Sequence, residues 1–129
     1  MTKTKRVQPF IITATIDKAA GVTLLATTEQ PGFTTFVQGF QITSGGTAWN
    51  EATGIKIQDG ADTPIVVATI LKAALAGSGA LINPWTSNVT LGAGWSSGCT
   101  ISKSLVVSPY GSTETTGTNP TITIWGVRY

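Results

Sequence analysis

Short apolar runs of period two, separated by glycine, proline, asparagine and aspartate, dominate the hydrophobic pattern of this chain. Residues 10–16 place Phe10, Ile12, Ala14 and Ile16 on one face of an extended segment. β-Branched and aromatic residues favour strands, so this run predicts a half-buried strand. Comparable runs predict further strands at residues 22–27, 33–43, 54–58, 65–71, 80–82, 88–91, 101–108 and 121–127.

The segment 69–76 is the one place where a helix competes with a strand. Ile70, Leu71, Ala74 and Leu75 recur at helical spacing, and the neighbouring alanines are good helix formers. Two turns of helix, or a continuing strand followed by a loop, both fit this pattern. Gly77 ends either one.

The pattern as a whole predicts one all-β domain. A chain of 129 residues is long enough for a single hydrophobic core. Strands at regular spacing with turn residues between them are typical of an antiparallel β-sandwich or a barrel. No internal repeat is evident in the sequence.

The first nine residues predict a flexible arm, so that the sandwich domain occupies residues 10–129. The arm carries Lys3, Lys5 and Arg6 without an apolar period, and Pro9 stands just before the first strand. One interpretation is a frayed, solubilising end. The other is an arm that docks on an acidic surface of a partner.

The charge and the hydropathy of the chain limit the kinds of molecule or membrane that it is expected to bind. The net charge is only +2 and charged residues make up 11% of the chain, less than half of the roughly 25% typical of soluble domains. Such a weak field does not favour nucleic-acid binding. The longest apolar run, residues 65–71, is too short to cross a membrane, and the start of the chain lacks the apolar core of a secretory signal. We therefore expect synthesis in the cytoplasm without a signal peptide.

The sequence contains few side chains that could carry out catalysis. The sequence contains no histidine and one cysteine, Cys99, which excludes Ser-His-Asp and Cys-His catalysis as well as an internal disulfide. The six carboxylates fall in predicted turns and loops, and no phosphate-binding or dinucleotide-binding glycine motif occurs. We therefore expect neither an enzyme nor a bound cofactor or metal, and we interpret Cys99 as a buried structural residue.

Three tryptophans, Trp49, Trp85 and Trp95, lie in predicted loops. They either cap the open ends of the sandwich or form platforms that bind sugar rings or protein partners. Trp125, in the last strand, is predicted to lie in the core or between subunits. Together with Lys3, Lys5 and Arg6, the three loop tryptophans are the candidate partner-binding residues.

Four segments of the C-terminal part resemble one family of structural proteins. They are GIKIQDG at 54–60, VVATI at 66–70, the stretch from Leu91 to SKSLVV at 102–107, and TITIWGV at 121–127. This pattern, spread over residues 33–129, resembles small jelly-roll virion proteins of tailed bacteriophages. The resemblance implies a jelly-roll sandwich without catalytic residues that serves as a capsid decoration or head-fibre subunit.

Two functions follow as expectations. The first is a virion protein that binds the major capsid protein or another virion protein and forms a symmetric homo-oligomer, with a trimer preferred, because closed symmetry covers open sheet edges. The second is a carbohydrate-binding module that uses the loop tryptophans. Titration of glycans against tryptophan fluorescence would distinguish them.

Overall fold

A computed structural model describes residues 7–26, 32–60, 65–77, 79–92, 95 and 98–129. The described residues form strands and one short 3-10 helix at Lys72–Ala74. The strands are β1 (Gln8–Thr15), β2 (Val22–Ala26), β3 (Thr35–Thr43), β4 (Gly54–Asp59), β5 (Ile65–Leu71), β6 (Leu81–Ile82), β7 (Val89–Leu91), β8 (Cys99–Ile101), β9 (Ser104–Tyr110) and β10 (Thr121–Arg128).

The strands form two antiparallel sheets packed face to face. The first sheet has the order β1-β10-β3-β6, and β8 pairs with the other half of β3, beside β6. The second sheet has the order β2-β9-β4-β5-β7. Apart from the β4–β5 hairpin, successive strands alternate between the sheets, and the first and last strands are neighbours, which is the arrangement of a jelly roll. The predicted all-β jelly-roll sandwich is therefore confirmed.

The core lies between the sheets and consists of alternate side chains from both. Val37, Phe40 and Ile42 of β3 face Ile55 and Ile57 of β4, and all five are buried. Their neighbours on β10, β5 and β9 follow the same alternation, so the other parity of each strand points outwards. The period-two pattern of the sequence thus identifies the core faces.

The first strand begins earlier than the sequence pattern predicts. β1 starts at Gln8, and Pro9 pairs with Val127, so the strand includes two residues that the sequence pattern assigned to the arm. A proline fits here because β1 is an edge strand. The N–H groups of alternate residues on such a strand point away from the sheet, so a proline at one of these positions removes no hydrogen bond of the ladder. Residues 1–6, with Lys3, Lys5 and Arg6, lie outside the described residues.

Two other predictions are settled by local geometry. The segment around 69–76 continues as strand through Leu71 and then makes a single 3-10 turn, so the longer helix is wrong. The predicted strand at 101–108 is divided, because Ser102 and Lys103 turn the chain from the first sheet into the second. Asp59 fixes this turn by accepting hydrogen bonds from both backbone N–H groups, at 2.9 and 2.8 Å.

Candidate functional site

The most distinctive surface is an apolar strip formed by β1, β10 and the residues next to their paired ends, at the outer face of the first sheet. Eight large hydrophobic side chains are exposed among the described residues, and half of them belong to this strip: Val7, Ile11, Trp125 and Tyr129. Ile11 is 72% exposed and pairs directly with Trp125 across the two strands. We refer to these four residues as the apolar strip.

Trp125 is held flat against the sheet by a glycine. Gly39 of β3 pairs with Trp125, and a Cβ atom at Gly39 would stand 2.6 Å from the indole ring. The register of β3 and β10 shifts between Trp125 and Gly126, which is a β-bulge beside the ring. The glycine therefore lets the indole lie on the backbone of β3, and 37% of the Trp125 side chain stays exposed.

The outer face around the strip is uncharged. The register and the burial alternation assign the outward positions of the first sheet to apolar, hydroxyl, amide or glycine residues only: Pro9, Ile11, Thr13, Thr15, Phe36, Gly39, Gln41, Thr43, Leu81, Thr100, Thr121, Thr123, Trp125 and Val127. The charge at the end of β10 belongs to Arg128, which alternates with the outward positions and therefore lies on the other side of the sheet. Its guanidinium lies over the Phe10 ring, 5.2 Å from the centroid. A face of this kind is suited to contact with another apolar or neutral protein surface.

Trp49 has a structural role. Its side chain is 4% exposed, and its indole N–H donates to the backbone carbonyl of Thr118 at 3.0 Å. Gly117 lies against the ring, where a Cβ atom would stand 2.3 Å from Cδ1. This burial corrects the prediction that Trp49 contacts a partner, because Trp49 joins two loops at one end of the sandwich.

Trp85 is the most exposed of the large hydrophobic side chains in the described residues, at 78%. It stands on the turn between β6 and β7, which Asn83 organises: the Asn83 side-chain oxygen accepts from the Trp85 N–H at 2.9 Å and from the Thr86 hydroxyl at 3.1 Å. Trp85 therefore retains the accessibility that a partner-binding residue needs. It does not belong to the apolar strip.

Trp95 lines a cleft of about 280 Å³ at one end of the sandwich. Its ring meets the Phe40 ring edge-on at a centroid distance of 6.1 Å, so one edge of Trp95 packs on the core. The cleft is bordered by apolar residues of β5 and by polar groups, namely Asp59, Cys99, Thr100 and Ser102. The structure thus separates the three loop tryptophans into one buried, one exposed and one cleft-lining residue.

Asp59 is the charged group of this cleft. Hydrogen bonds from the Ser102 and Lys103 backbone and from the Ser102 hydroxyl hold the pKa of Asp59 below its usual value, against the effect of burial. The carboxylate is therefore ionised at neutral pH. Burial, reinforced by the nearby charge of Asp59, raises the pKa of the Cys99 thiol to about 11. Cys99 is consequently a neutral thiol and a poor nucleophile at neutral pH.

Glu51 and Glu114 form a pair of carboxylates on facing loops, but both already accept several hydrogen bonds from the protein. Glu114 accepts from the backbone N–H groups of residues 50–52 and of Gly117, at 2.8–3.1 Å. Glu51 in return accepts from the backbone and hydroxyl groups of Thr115 and Thr116. Each carboxylate holds the opposite loop, so the pair stabilises this end of the sandwich.

The described ranges contain neither a candidate metal-ion cluster nor a candidate membrane-spanning helix. These residues contain no group of three or more His, Cys, Asp or Glu side chains placed to hold a metal ion. They also contain no helix of the length and apolarity needed to cross a membrane.

Comparisons with protein-family models, with curated proteins and with solved structures gave no match.

The sequence pattern indicated Trp125 of the strip, as a core or inter-subunit residue, but not Val7, Ile11 or Tyr129. A signal was present, because residues 10–12 are apolar at both parities and only one parity can enter the core. The position of Tyr129 beside Thr34, with reciprocal backbone hydrogen bonds of 2.7 and 3.0 Å, required the tertiary structure.

Proposed function

We propose that this protein is a structural virion subunit, a capsid decoration protein that assembles as a homo-oligomer on a phage shell. The observation that carries the proposal is the apolar strip on an uncharged sheet face. Soluble monomers rarely keep clustered apolar side chains in water, and such clusters mark protein interfaces.

The charge distribution favours a second copy as the occupant of this face. Where the same patch meets itself across a twofold axis, a charge near that axis lies close to its own copy and is repelled. The outward positions of the first sheet carry no charge, whereas the second sheet presents Lys56, over the Tyr110 ring at 4.7 Å from the centroid. The first sheet is thus the face that can approach its own copy without repulsion.

The assignment to a virion draws on two further features. Jelly rolls are common in viral capsid proteins, although lectins and cupins share them. The resemblance over residues 33–129 points to the decoration proteins of tailed phages, and it implies a trimer as the assembled form. The buried carboxylates that hold loops and the neutral thiol support a structural rather than a catalytic role.

Self-association is tested by substituting Ile11 with lysine. Ile11→Lys places a charge in the apolar strip but removes little packing from the monomer, so the dissociation constant of the oligomer should rise by at least about tenfold. Ile65→Lys is the matched control, since Ile65 is 64% exposed but lies on the second sheet. Light scattering and native mass spectrometry measure both. A wild type that is monomeric at tens of micromolar contradicts the proposal.

The virion role has its own test. In a lysate of infected cells that make this protein, it should band with intact particles in a density gradient, and Ile11→Lys should reduce its amount there. Protein that stays entirely in the soluble fraction would contradict a decoration role even if the oligomer forms.

The cleft favours glycan binding as a second candidate function. An aromatic ring, an ionised carboxylate and the hydroxyl groups of Thr100 and Ser102 line a space that accommodates a single sugar ring. If this candidate is correct, monosaccharides should change the tryptophan fluorescence, and Trp95→Ala should abolish the change while Trp85→Ala retains it. An unchanged spectrum across a panel of neutral and amino sugars would exclude it.

A further inference from the structure

The first sheet ends in an unusually unprotected edge strand. β1 runs over Gln8–Thr15 and, among the described strands, pairs only with β10. Its eight residues include no charged side chain. Proteins normally protect sheet edges by keeping them short, by placing charges or prolines on them or by twisting them with bulges, and of these devices β1 has only Pro9, near its start. A long, regular and uncharged edge is therefore a surface that another strand can extend.

The hydrogen bonding of β1 shows which backbone groups face this edge. The Ile16 N–H donates to the carbonyl of Pro120 at 2.8 Å, in register with the rest of the ladder. Because N–H and C=O groups alternate in direction along a strand, even-numbered residues bond to β10 and odd-numbered residues point away from it. Ile11, Thr13 and Thr15 consequently present both groups to the edge. Pro9, which has no N–H, occupies an outward position where none is required.

The other sheet edges cannot match this length. β2 has five residues and its register shifts between Thr23 and Leu25, while β6, β7 and β8 have only two or three residues each. Within the described parts of the chain, the only edge strand of equal length and regularity is β1 itself. A second copy therefore supplies the complementary partner.

We propose that two copies pair through β1 in antiparallel orientation, across a twofold axis at Thr13, so that the first sheet continues from one copy into the next. This inference rests on the proposed self-association and adds an edge contact to the contact made by the outer face of the first sheet. In this register Thr13 meets Thr13 of the second copy and Ile11 meets Thr15 of the second copy, which forms about six backbone hydrogen bonds. A register centred on Ile11 instead would oppose Pro9 to Thr13 and lose a donor.

The pairing has a consequence for stoichiometry. A twofold contact makes the number of copies even, whereas the trimer expected from the family resemblance has no twofold axis. A hexamer made of two trimers joined through β1 satisfies both expectations. A dimer satisfies the edge contact alone, and an isolated trimer excludes it.

Amide hydrogen exchange of the full-length protein tests the contact directly. In dilute, monomeric samples the amides of Ile12 and Ala14 should be protected, while those of Ile11, Thr13 and Thr15 exchange rapidly. In the oligomer the odd-numbered amides should slow by at least about tenfold. If the oligomer forms and these amides stay fast, the edge contact is wrong but self-association stands. If no oligomer forms, both are wrong.

A cysteine substitution tests the register. Thr13→Cys should cross-link two copies when the oligomer is oxidised with diamide, because Cα atoms of a hydrogen-bonded pair lie about 5.5 Å apart, within disulfide range. Thr23→Cys, an exposed threonine on the edge strand β2, is the matched control and should not cross-link. Slow odd-numbered amides without a Thr13→Cys cross-link would overturn the twofold register.

Discussion

At the scale of single residues, buried carboxylates stabilise loops. Glu114 is 0% exposed and accepts four backbone N–H groups, of which those of Ala52 and Gly117 are buried and would otherwise have no partner. These hydrogen bonds hold the pKa of Glu114 below its usual value, although burial and the charge of Glu51 oppose them. The ionised form is thus the one that the fold requires.

Glu114→Gln should therefore destabilise the protein strongly. The amide keeps the shape, but its NH₂ group faces N–H donors and its oxygen carries no full charge, so we expect a loss of about 2–4 kcal/mol in the free energy of unfolding. Urea titration monitored by tryptophan fluorescence measures it. Glu51→Gln, on the more exposed carboxylate, should cost less. Equal stability of wild type and Glu114→Gln would contradict this role for Glu114.

At the scale of elements, the two edges of the first sheet differ. The β3 edge is divided between β6 and β8, which leave the sheet after two or three residues, while β1 continues regularly over its whole length. Short edges protect themselves and long ones need cover. β1 is therefore the element of the first sheet with the longest exposed backbone edge, and the hydrogen-exchange and cross-linking experiments test whether a second copy covers it.

The separation of the apolar strip from the core also arises at this scale. Ile11 and Ile12 are neighbours in sequence, but the pleat sends Ile12 towards the core and Ile11 to water. The same alternation in β10 buries Ile124 and exposes Trp125. Two adjacent strands with apolar residues at both parities thus produce a core face and an exposed apolar face together.

At the scale of the whole molecule, several carboxylates make the stability of the fold depend on pH in the acidic range. The pKa values of Asp17, Glu51, Asp59 and Glu114 are all lowered by hydrogen bonds in the folded state, that of Glu51 to about 2. A carboxylate whose pKa is lower in the folded state contributes stability that is complete above its unfolded pKa and is lost as the pH falls towards the folded value. Stability should thus decline from about pH 4.5, the ordinary value for a glutamate, towards pH 2.

Thermal unfolding followed by circular dichroism checks this expectation. The midpoint should be nearly constant between pH 5 and 8, since the chain has no histidine, and should fall by roughly 10 °C or more between pH 4.5 and pH 2. Glu51→Gln should flatten the acidic limb. A midpoint that is constant down to pH 2 would show that these hydrogen bonds do not favour the ionised forms.

The sequence by itself determined the fold class, because period-two alternation and turn residues are local properties of the chain. It identified most strands and core positions such as Phe40 and Ile42, and it excluded histidine chemistry. It did not separate Trp49, Trp85 and Trp95, since burial depends on which loops meet: Trp49 is covered because Gly117 and Thr118 arrive from a loop distant in sequence.

The tertiary structure alone decided the candidate interaction surface. That β1 and β10 are neighbours, that Ile11 pairs with Trp125, and that Gly39 supports the indole are consequences of joining the two ends of the chain in one sheet. The division of residues 101–108 into β8 and β9 was equally hidden, because the Ser102–Lys103 turn is held by Asp59 from another strand. Local patterns specify which residues form strands, and long-range pairing specifies which of their side chains meet.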